Sequence, residues 1–382
     1  MAQKYLFFSD GRFRDRAIGE IRSLFGASEC RLDRSVRSDR FFAMDMDAPP
    51  QAALDTFARR QPILTYNMVP VVAELPYQDN GNSALAAALS SVLHTDRSFR
   101  LEAINIVSSS GENANSIETN TGRILETMGF RADLDTPQDF VYVVLFQKRI
   151  FIGLLSSGMK LNYRIDYFRH GANSGARGLT RAEFKLREAL EYFNIDASRA
   201  SLALDIGAAP GGWTAEISAL GGRVIAVDNA LLAYGSIKSR PLIVLASPDR
   251  AKETSDTIAQ SSPGSAVTVV EDPDSVPGGF SVLHIRRRAQ EIDAPLLAKF
   301  GRPDLLLVDA NVEPETSAQL ASRFADMLNN AATLILTVKL VDDNVDKHVK
   351  AVTKGIEGKY GGIMLKKLPH NRSELTLFAR RL

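Results

Sequence analysis

The stretch from Leu202 to Asp228 constrains this chain more than any other. Three apolar, strand-favouring positions, Leu202-Ala203-Leu204, lead through Asp205 and Ile206 into the turn Gly207-Ala208-Ala209-Pro210-Gly211-Gly212. A helical run from Thr214 to Leu220 follows, and a second short strand, Arg223 to Val227, ends in Asp228. Strand, glycine turn, helix and strand in that order predict a ligand mouth at the carboxyl end of the first strand. Gly207 can take the tight backbone angles of the turn, and Gly211 and Gly212, lacking Cβ, let a ligand lie against the backbone. Asp228 is placed to hydrogen-bond ribose hydroxyls. The turn is not G-x-G-x-x-G, and it lacks the bare helix N-terminus that suits a pyrophosphate. It reads as a site for S-adenosylmethionine, and an NAD-dependent dehydrogenase fits it poorly.

A length of 382 residues suggests two or three domains. The content, 45% hydrophobic and 24% charged, is that of a soluble globular protein. The formal net charge is +1, so a nucleic-acid surface has to be a local patch. The single cysteine, Cys30, cannot form an intrachain disulfide. No His/Cys cluster surrounds it, and His284, His348 and His370 lack ligand spacing, so no metal is expected. No apolar run is long enough to span a bilayer, and Met1 to Phe8 is too short for a signal peptide. A monomer in a reducing cytoplasm is the expectation.

Along the chain, residues 4–8 read as a strand and Phe13 to Phe25 as a helix, with Ala17, Ile18, Ile21, Leu24 and Phe25 at helical spacing. Phe41 to Met44, Pro50 to Arg59 and Tyr66 to Leu75 read as strand, helix and strand. That order suits a ferredoxin-like α+β domain over residues 1–80. A second module, 81–160, has helices at Leu85–Leu93 and Ser116–Met128 and strands at Phe99–Val107, Val141–Phe146 and Ile150–Leu155. Its order resembles a THUMP domain, an RNA-binding module. The local markers are Phe99-Arg100, Gly122, Asp133 with Thr136-Pro137, and Phe151-Ile152-Gly153. Residues 161–178 read as a linker. From 179 to 382 strands and helices alternate as in a doubly wound α/β domain. Its strands are expected at 202–206, 223–227, 280–285, 304–309, 333–339, 363–368 and 374–380. Ser239 to Gly279 exceeds an ordinary connection and reads as an insertion with no assigned role.

Further segments carry chemistry. Thr180-Arg181-Ala182-Glu183-Phe184-Lys185-Leu186 opens a helix. Asp304 to Asp309 is a strand ending in a carboxylate, and Leu334 to Lys339 one ending in a lysine. Arg372-Ser373-Glu374 starts the last strand with a glutamate. With these residues the chain resembles the FtsJ/RlmM group of RNA ribose 2′-O-methyltransferases. The likeness is closest over 180–382, in the Ala-Pro-Gly-Gly-Trp-Thr turn, Val227-Asp228-Asn229, Val338-Lys339-Leu340 and the tail from Arg372 to Leu382. It implies a Rossmann-like methyltransferase domain behind ferredoxin-like and THUMP-like domains, S-adenosylmethionine as cofactor, and structured RNA, large-subunit rRNA first, as substrate. The group's Lys-Asp-Lys-Glu tetrad falls on Lys185, Asp309, Lys339 and Glu374. The expected cofactor contacts are Thr180, Gly207, Ala209, Pro210, Gly211, Gly212, Trp213, Asp228 and Asp309, with Trp213 as lining. The group often has an acid after the third strand, near the adenine; here Leu283-His284-Ile285 is followed by Arg286-Arg287-Arg288.

A ribose hydroxyl is a poor nucleophile until it loses its proton, and methyl transfer requires oxygen, methyl and sulfur in line. A lysine flanked by a second cation can act as a base. Lys339 is the candidate, with Asp309 orienting it and lying near the methyl donor, and Lys185 and Glu374 holding the hydroxyl and the lysine geometry. RNA contacts in the second module are expected at Arg97, Arg100, Arg123, Lys148 and Arg149. The competing readings are a non-catalytic RNA-binding or ribosome-assembly factor on the same fold, and a methyltransferase acting on tRNA.

Overall fold

A computed structural model describes residues 2–77, 81–107, 113–157 and 181–382. The chain divides into two compact units, Met1–Ser174 and Gly175–Leu382. The expected linker and Thr180 lie outside the described residues.

The N-terminal unit begins with β1 (Gln3–Ser9), α1 (Arg14–Phe25), β2 (Cys30–Leu32), β3 (Phe41–Met46), α2 (Pro50–Arg60) and β4 (Thr65–Pro76). Ala17, Ile18 and Ile21 form the buried stripe of α1, as their spacing requires. It continues with α3 (Gly81–Ser90), β5 (Ser98–Val107), α4 (Ala114–Thr127), β6 (Arg131–Ala132), β7 (Asp139–Phe146) and β8 (Arg149–Ser156). One eight-stranded sheet, β2-β3-β1-β4-β8-β7-β5-β6, holds them all. The division expected near residue 80 is therefore not a break in the sheet. The first part of β4 pairs antiparallel with β1, and its second part, Val71 to Pro76, pairs with β8. The short β2 and β6 have too few apolar residues to be seen as strands in the sequence. Among the five cations expected to contact RNA, Arg97 is tied to Asp139 at 2.6 Å and Arg100 to Glu102 at 3.1 Å. Arg149 meets Glu74 at 2.6 Å and Asp33 at 3.3 Å. Arg123 and Lys148 are exposed.

The C-terminal unit contains α5 (Arg181–Tyr192), β9 (Leu202–Ile206), α6 (Gly212–Ala219), β10 (Arg223–Val227), β11 (Leu242–Leu245), α7 (Pro248–Ser261), β12 (Val267–Val270) and β13 (Val282–Ile285). Then come α8 (Ala294–Ala298), β14 (Leu305–Val308), α9 (Pro314–Ala325), β15 (Thr333–Lys339), α10 (Val345–Ile356), β16 (Tyr360–Lys366) and β17 (Glu374–Arg381). The sheet order is β12-β11-β13-β10-β9-β14-β15-β17-β16, parallel except for β17, which runs antiparallel to both neighbours. Its central strands β9, β10, β14 and β13 are buried along their length apart from Arg223, as befits a parallel sheet covered on both faces. The order reverses at β9, with β10 on one side and β14 on the other, so a crevice opens at the carboxyl ends of these strands. The stretch from Ser239 to Gly279 is structured: β11 pairs parallel with β13, β12 pairs parallel with β11, and α7 joins them. It widens the sheet beyond β13.

Candidate active site

The glycine turn leaves β9 at the crevice. Gly207 has φ +78°, and a Cβ there would lie 2.8 Å from the Ala310 backbone, so this position requires glycine. Gly211 has φ +109° and caps α6, which begins at Gly212. Asp228, just past β10, accepts from the backbone N–H of Ala209 at 3.1 Å through one carboxylate oxygen and from that of Ala230 at 2.8 Å through the other. These bonds fasten the turn to the end of β10.

Asp205, one residue before the end of β9, is fully buried. Thr214 of α6 donates to its Oδ2 at 2.6 Å, while Oδ1 has no partner. Burial, helped by the charges of Asp309 and Asp228 and opposed by the Thr214 bond, pushes its carboxyl up to about 7. Three carboxylates thus converge where the strands end, and one buried oxygen is unsatisfied. A ligand carrying positive charge suits that donor set, and S-adenosylmethionine has both a sulfonium and an ammonium group. Asp205 opened the glycine motif in the sequence but was given no role there; an acid just before a glycine turn was the available signal.

The four residues of the tetrad come together, in a pairing order the sequence did not indicate. Lys185 of α5 is 3% exposed and donates to both oxygens of Asp309 at 3.0 Å. Its Nζ also lies 2.8 Å from Glu374 Oε2. Lys339 donates to Glu374 Oε1 at 2.5 Å. The chain of charge is therefore Asp309–Lys185–Glu374–Lys339: Asp309 pairs with Lys185 in place of the expected contact with Lys339, while Glu374 holds Lys339 as expected. Register explains the last contact: Lys339 ends β15, Glu374 begins the antiparallel β17, and the two are direct cross-strand partners. Burial alone would raise the Glu374 carboxyl, but the two lysines outweigh it and hold it at about 2.

Trp213 is buried, donates to the Ala182 carbonyl at 2.8 Å, and places its ring 5.8 Å from Lys185 Nζ. It ties α5 to α6 beneath the lysine. Lys339 and Glu374 open onto a cleft of about 740 Å³, whose walls include Arg181, Asn311, Thr316 and Arg372. Arg181 opens α5 and Arg372 lies just before β17, and neither has a motif of its own to mark it in the sequence. Arg286 donates to Thr254 of α7, and His284 is buried. Among the described residues no group of three or more His, Cys, Asp or Glu could hold a metal ion. Among them, too, no helix is long and apolar enough to cross a membrane.

Residues 179–320 match the family model of FtsJ-like methyltransferases. The cofactor that goes with this match is S-adenosylmethionine. The chain is also similar to the uncharacterized protein MJ1257 of Methanocaldococcus jannaschii, 23% identical over 210 residues, which are 54% of this chain and 48% of that one. It thus spans about half the length of that relative. Among solved structures, TrmN from Thermus thermophilus is 16% identical with a TM-score of 0.36, covering 99% of this chain and 100% of that one. Magnesium protoporphyrin IX methyltransferase from Synechocystis, solved with bound SAM, is 12% identical with a TM-score of 0.31, covering 57% and 90%.

Proposed function

We propose that the chain is an S-adenosylmethionine-dependent RNA ribose 2′-O-methyltransferase whose substrate is structured RNA, ribosomal RNA of the large subunit first. The observation that carries the reading is the continuous Asp309–Lys185–Glu374–Lys339 chain, ending in a lysine at an open cleft. A non-catalytic factor would have no need for a buried lysine between two carboxylates at this place, since such an arrangement costs desolvation energy without a guaranteed return in stability.

Gly207, Ala209, Pro210, Gly211, Gly212 and Trp213 would form the cofactor's side of the crevice. Asp228 would take the ribose hydroxyls, and Asp205 and Asp309 would face its positive charge. When bound, the cofactor supplies a methyl group activated by its positive sulfur. Lys339, once its ammonium has released a proton to solvent through the open cleft, holds the 2′-hydroxyl at the cleft wall and accepts its proton as the oxygen–methyl bond forms. Lys339 then carries the positive charge that leaves the sulfur, so charge balances across the step. Glu374 receives that charge beside it as a carboxylate already ionised at working pH. Lys185, buried and touching both carboxylates, positions Glu374 and Asp309. The N-terminal unit, with its β-α-β-β-α-β start, is read as a ferredoxin-like segment followed by a THUMP-like RNA-binding module.

The test is transfer of tritiated methyl from S-adenosylmethionine onto total RNA from a strain lacking the gene, followed by digestion to nucleosides. Label in 2′-O-methylnucleosides supports the proposal. Label confined to methylated bases rejects it.

A further inference from the structure

Two sequence features have no part in the chemistry above: the added β11–α7–β12 layer and the arginine run after β13. They meet at one place. Three successive acceptors follow the end of β10, and each is taken by a donor from this layer or from β13 and its end. The Asp228 carbonyl lies 3.1 Å from His284 Nε2, on β13. The Asn229 carbonyl accepts from Arg286 Nε at 3.4 Å. The Asn229 side-chain oxygen accepts from Arg250 of α7 at 2.5 Å.

The donors are themselves anchored. Arg286 donates to Thr254 Oγ1 at 2.6 Å and pairs with Glu253 at 3.1 Å, both on α7. The Thr254 hydroxyl donates in turn to the Arg250 carbonyl at 2.6 Å. A carbonyl can only accept, so His284 Nε2 carries its proton toward Asp228, and Nδ1 accepts from the Tyr234 hydroxyl at 2.6 Å. Burial pulls the His284 imidazole down to about 4, which keeps it neutral and this tautomer in place. Tyr234 lies in the same loop as Asp228, and that loop is tied back to the glycine turn by Ala233 N–H donating to the Pro210 carbonyl at 2.8 Å.

We propose that the β11–α7–β12 layer is a brace for the cofactor's ribose. Arg250 and Arg286 act as positioning residues: Arg286 fixes the Asn229 peptide carbonyl and Arg250 the Asn229 side chain, and together they aim the neighbouring Asp228 carboxylate. The inference rests on the reading of Asp228 as the ribose ligand. Arg286, the first of the arginine run, thus serves the protein's own fold, bonding Thr254 and Glu253 of α7. A brace on the ribose acts on what S-adenosylmethionine and S-adenosylhomocysteine share. The sulfur's charge is irrelevant to it.

The experiment uses the full chain with Arg286→Ala and Arg250→Ala made separately. Calorimetry gives the Kd for S-adenosylmethionine and S-adenosylhomocysteine, steady-state kinetics give KM and kcat, and thermal melts without ligand report the fold. Each variant is expected to lose tenfold or more in affinity, by the same factor for both ligands. KM for the methyl donor should rise while KM for RNA stays put, and kcat at saturating donor should change far less than KM. Arg250 makes its contact at the surface, so Arg250→Ala keeps the test decisive if Arg286→Ala fails to fold. Affinities within twofold of the parent, even with a lowered melting temperature, would reduce the layer to a structural edge and overturn the proposal. A parent protein that binds neither ligand would instead remove the cofactor reading on which it stands.

Discussion

In the N-terminal unit several positive side chains, themselves partly open to water, end on carboxylates. Arg97 reaches Asp139 while remaining 34% exposed, and Arg149 shares Glu74 and Asp33 with Lys4 at the meeting of β4 and β8. In the C-terminal unit Lys185 is 3% exposed and lies between two carboxylates at the strand ends. The same chemical pair serves two purposes. Exposed pairs are screened by water and contribute little, so they bind and tune a surface. A buried relay is costly to form and damaging to break, so it persists where geometry at the reacting atoms depends on it. Sheet topology underlies the difference. Parallel strands bring their carboxyl ends, and the residues just past them, to one edge, whereas the largely antiparallel N-terminal sheet alternates its ends.

That contrast can be broken by mutation. The largest effect on stability is expected for Lys185→Ala, which takes the buried cation from Asp309 and leaves Glu374 with Lys339 alone. The loss should be ~3–5 kcal/mol by urea denaturation. A loss under 1 kcal/mol would place this lysine with the surface pairs.

Removing the N-terminal unit, in a chain that begins near Gly171, should keep S-adenosylmethionine binding and lose most RNA affinity. Three of the five cations expected to contact RNA are already paired with carboxylates. The full-length protein should therefore show a shallow salt dependence, with a log–log slope of about −2 or less in magnitude. Full-rate RNA methylation by the shortened chain would refute an RNA-delivery role for that unit.

Asp205 sharpens the comparison from the C-terminal side. Burial pushes its carboxyl up to about 7, and its ionised form suits a cation. Affinity for S-adenosylmethionine should then rise between pH 6 and pH 8, as the ionised fraction grows, and flatten in Asp205→Asn. The same variant should weaken S-adenosylmethionine more than S-adenosylhomocysteine, which lacks the sulfonium charge. Calorimetry at several pH values measures both, and an identical pH profile in parent and variant would assign the dependence to another group.

The smallest effect is expected for Arg149→Ala. Its guanidinium is about a quarter exposed and shares its carboxylates with Lys4. The cost should be ~1 kcal/mol or less. A cost comparable to that of Lys185→Ala would erase the distinction between the units.

Much of the C-terminal site was legible because its residues lie at the ends of short apolar runs. Leu202 to Ile206, Leu305 to Val308 and Thr333 to Lys339 announce themselves as buried strands, and the glycine turn after the first, the acid after the second and the lysine that ends the third are therefore placed. The pairing within the tetrad was not legible, because it depends on the antiparallel register that sets Lys339 opposite Glu374. The layer after β10 was passed over because Ser, Pro, Asp and Gly surround two four-residue strands, and composition outweighed the runs Leu242-Ile243-Val244-Leu245 and Val267-Thr268-Val269-Val270. In the N-terminal unit the strands were visible, but the continuity of β4 across both modules was not, since nothing local marks a strand that changes partners midway.

The central claim is that the relay ending in Lys339 performs the transfer. Single-turnover methylation by Lys339→Ala, on the RNA the parent modifies and at saturating S-adenosylmethionine, tests it most directly when the cofactor Kd is measured beside it. The account predicts a rate lower by ~10²–10⁴ with the Kd within twofold of the parent. A parental rate in Lys339→Ala would contradict it.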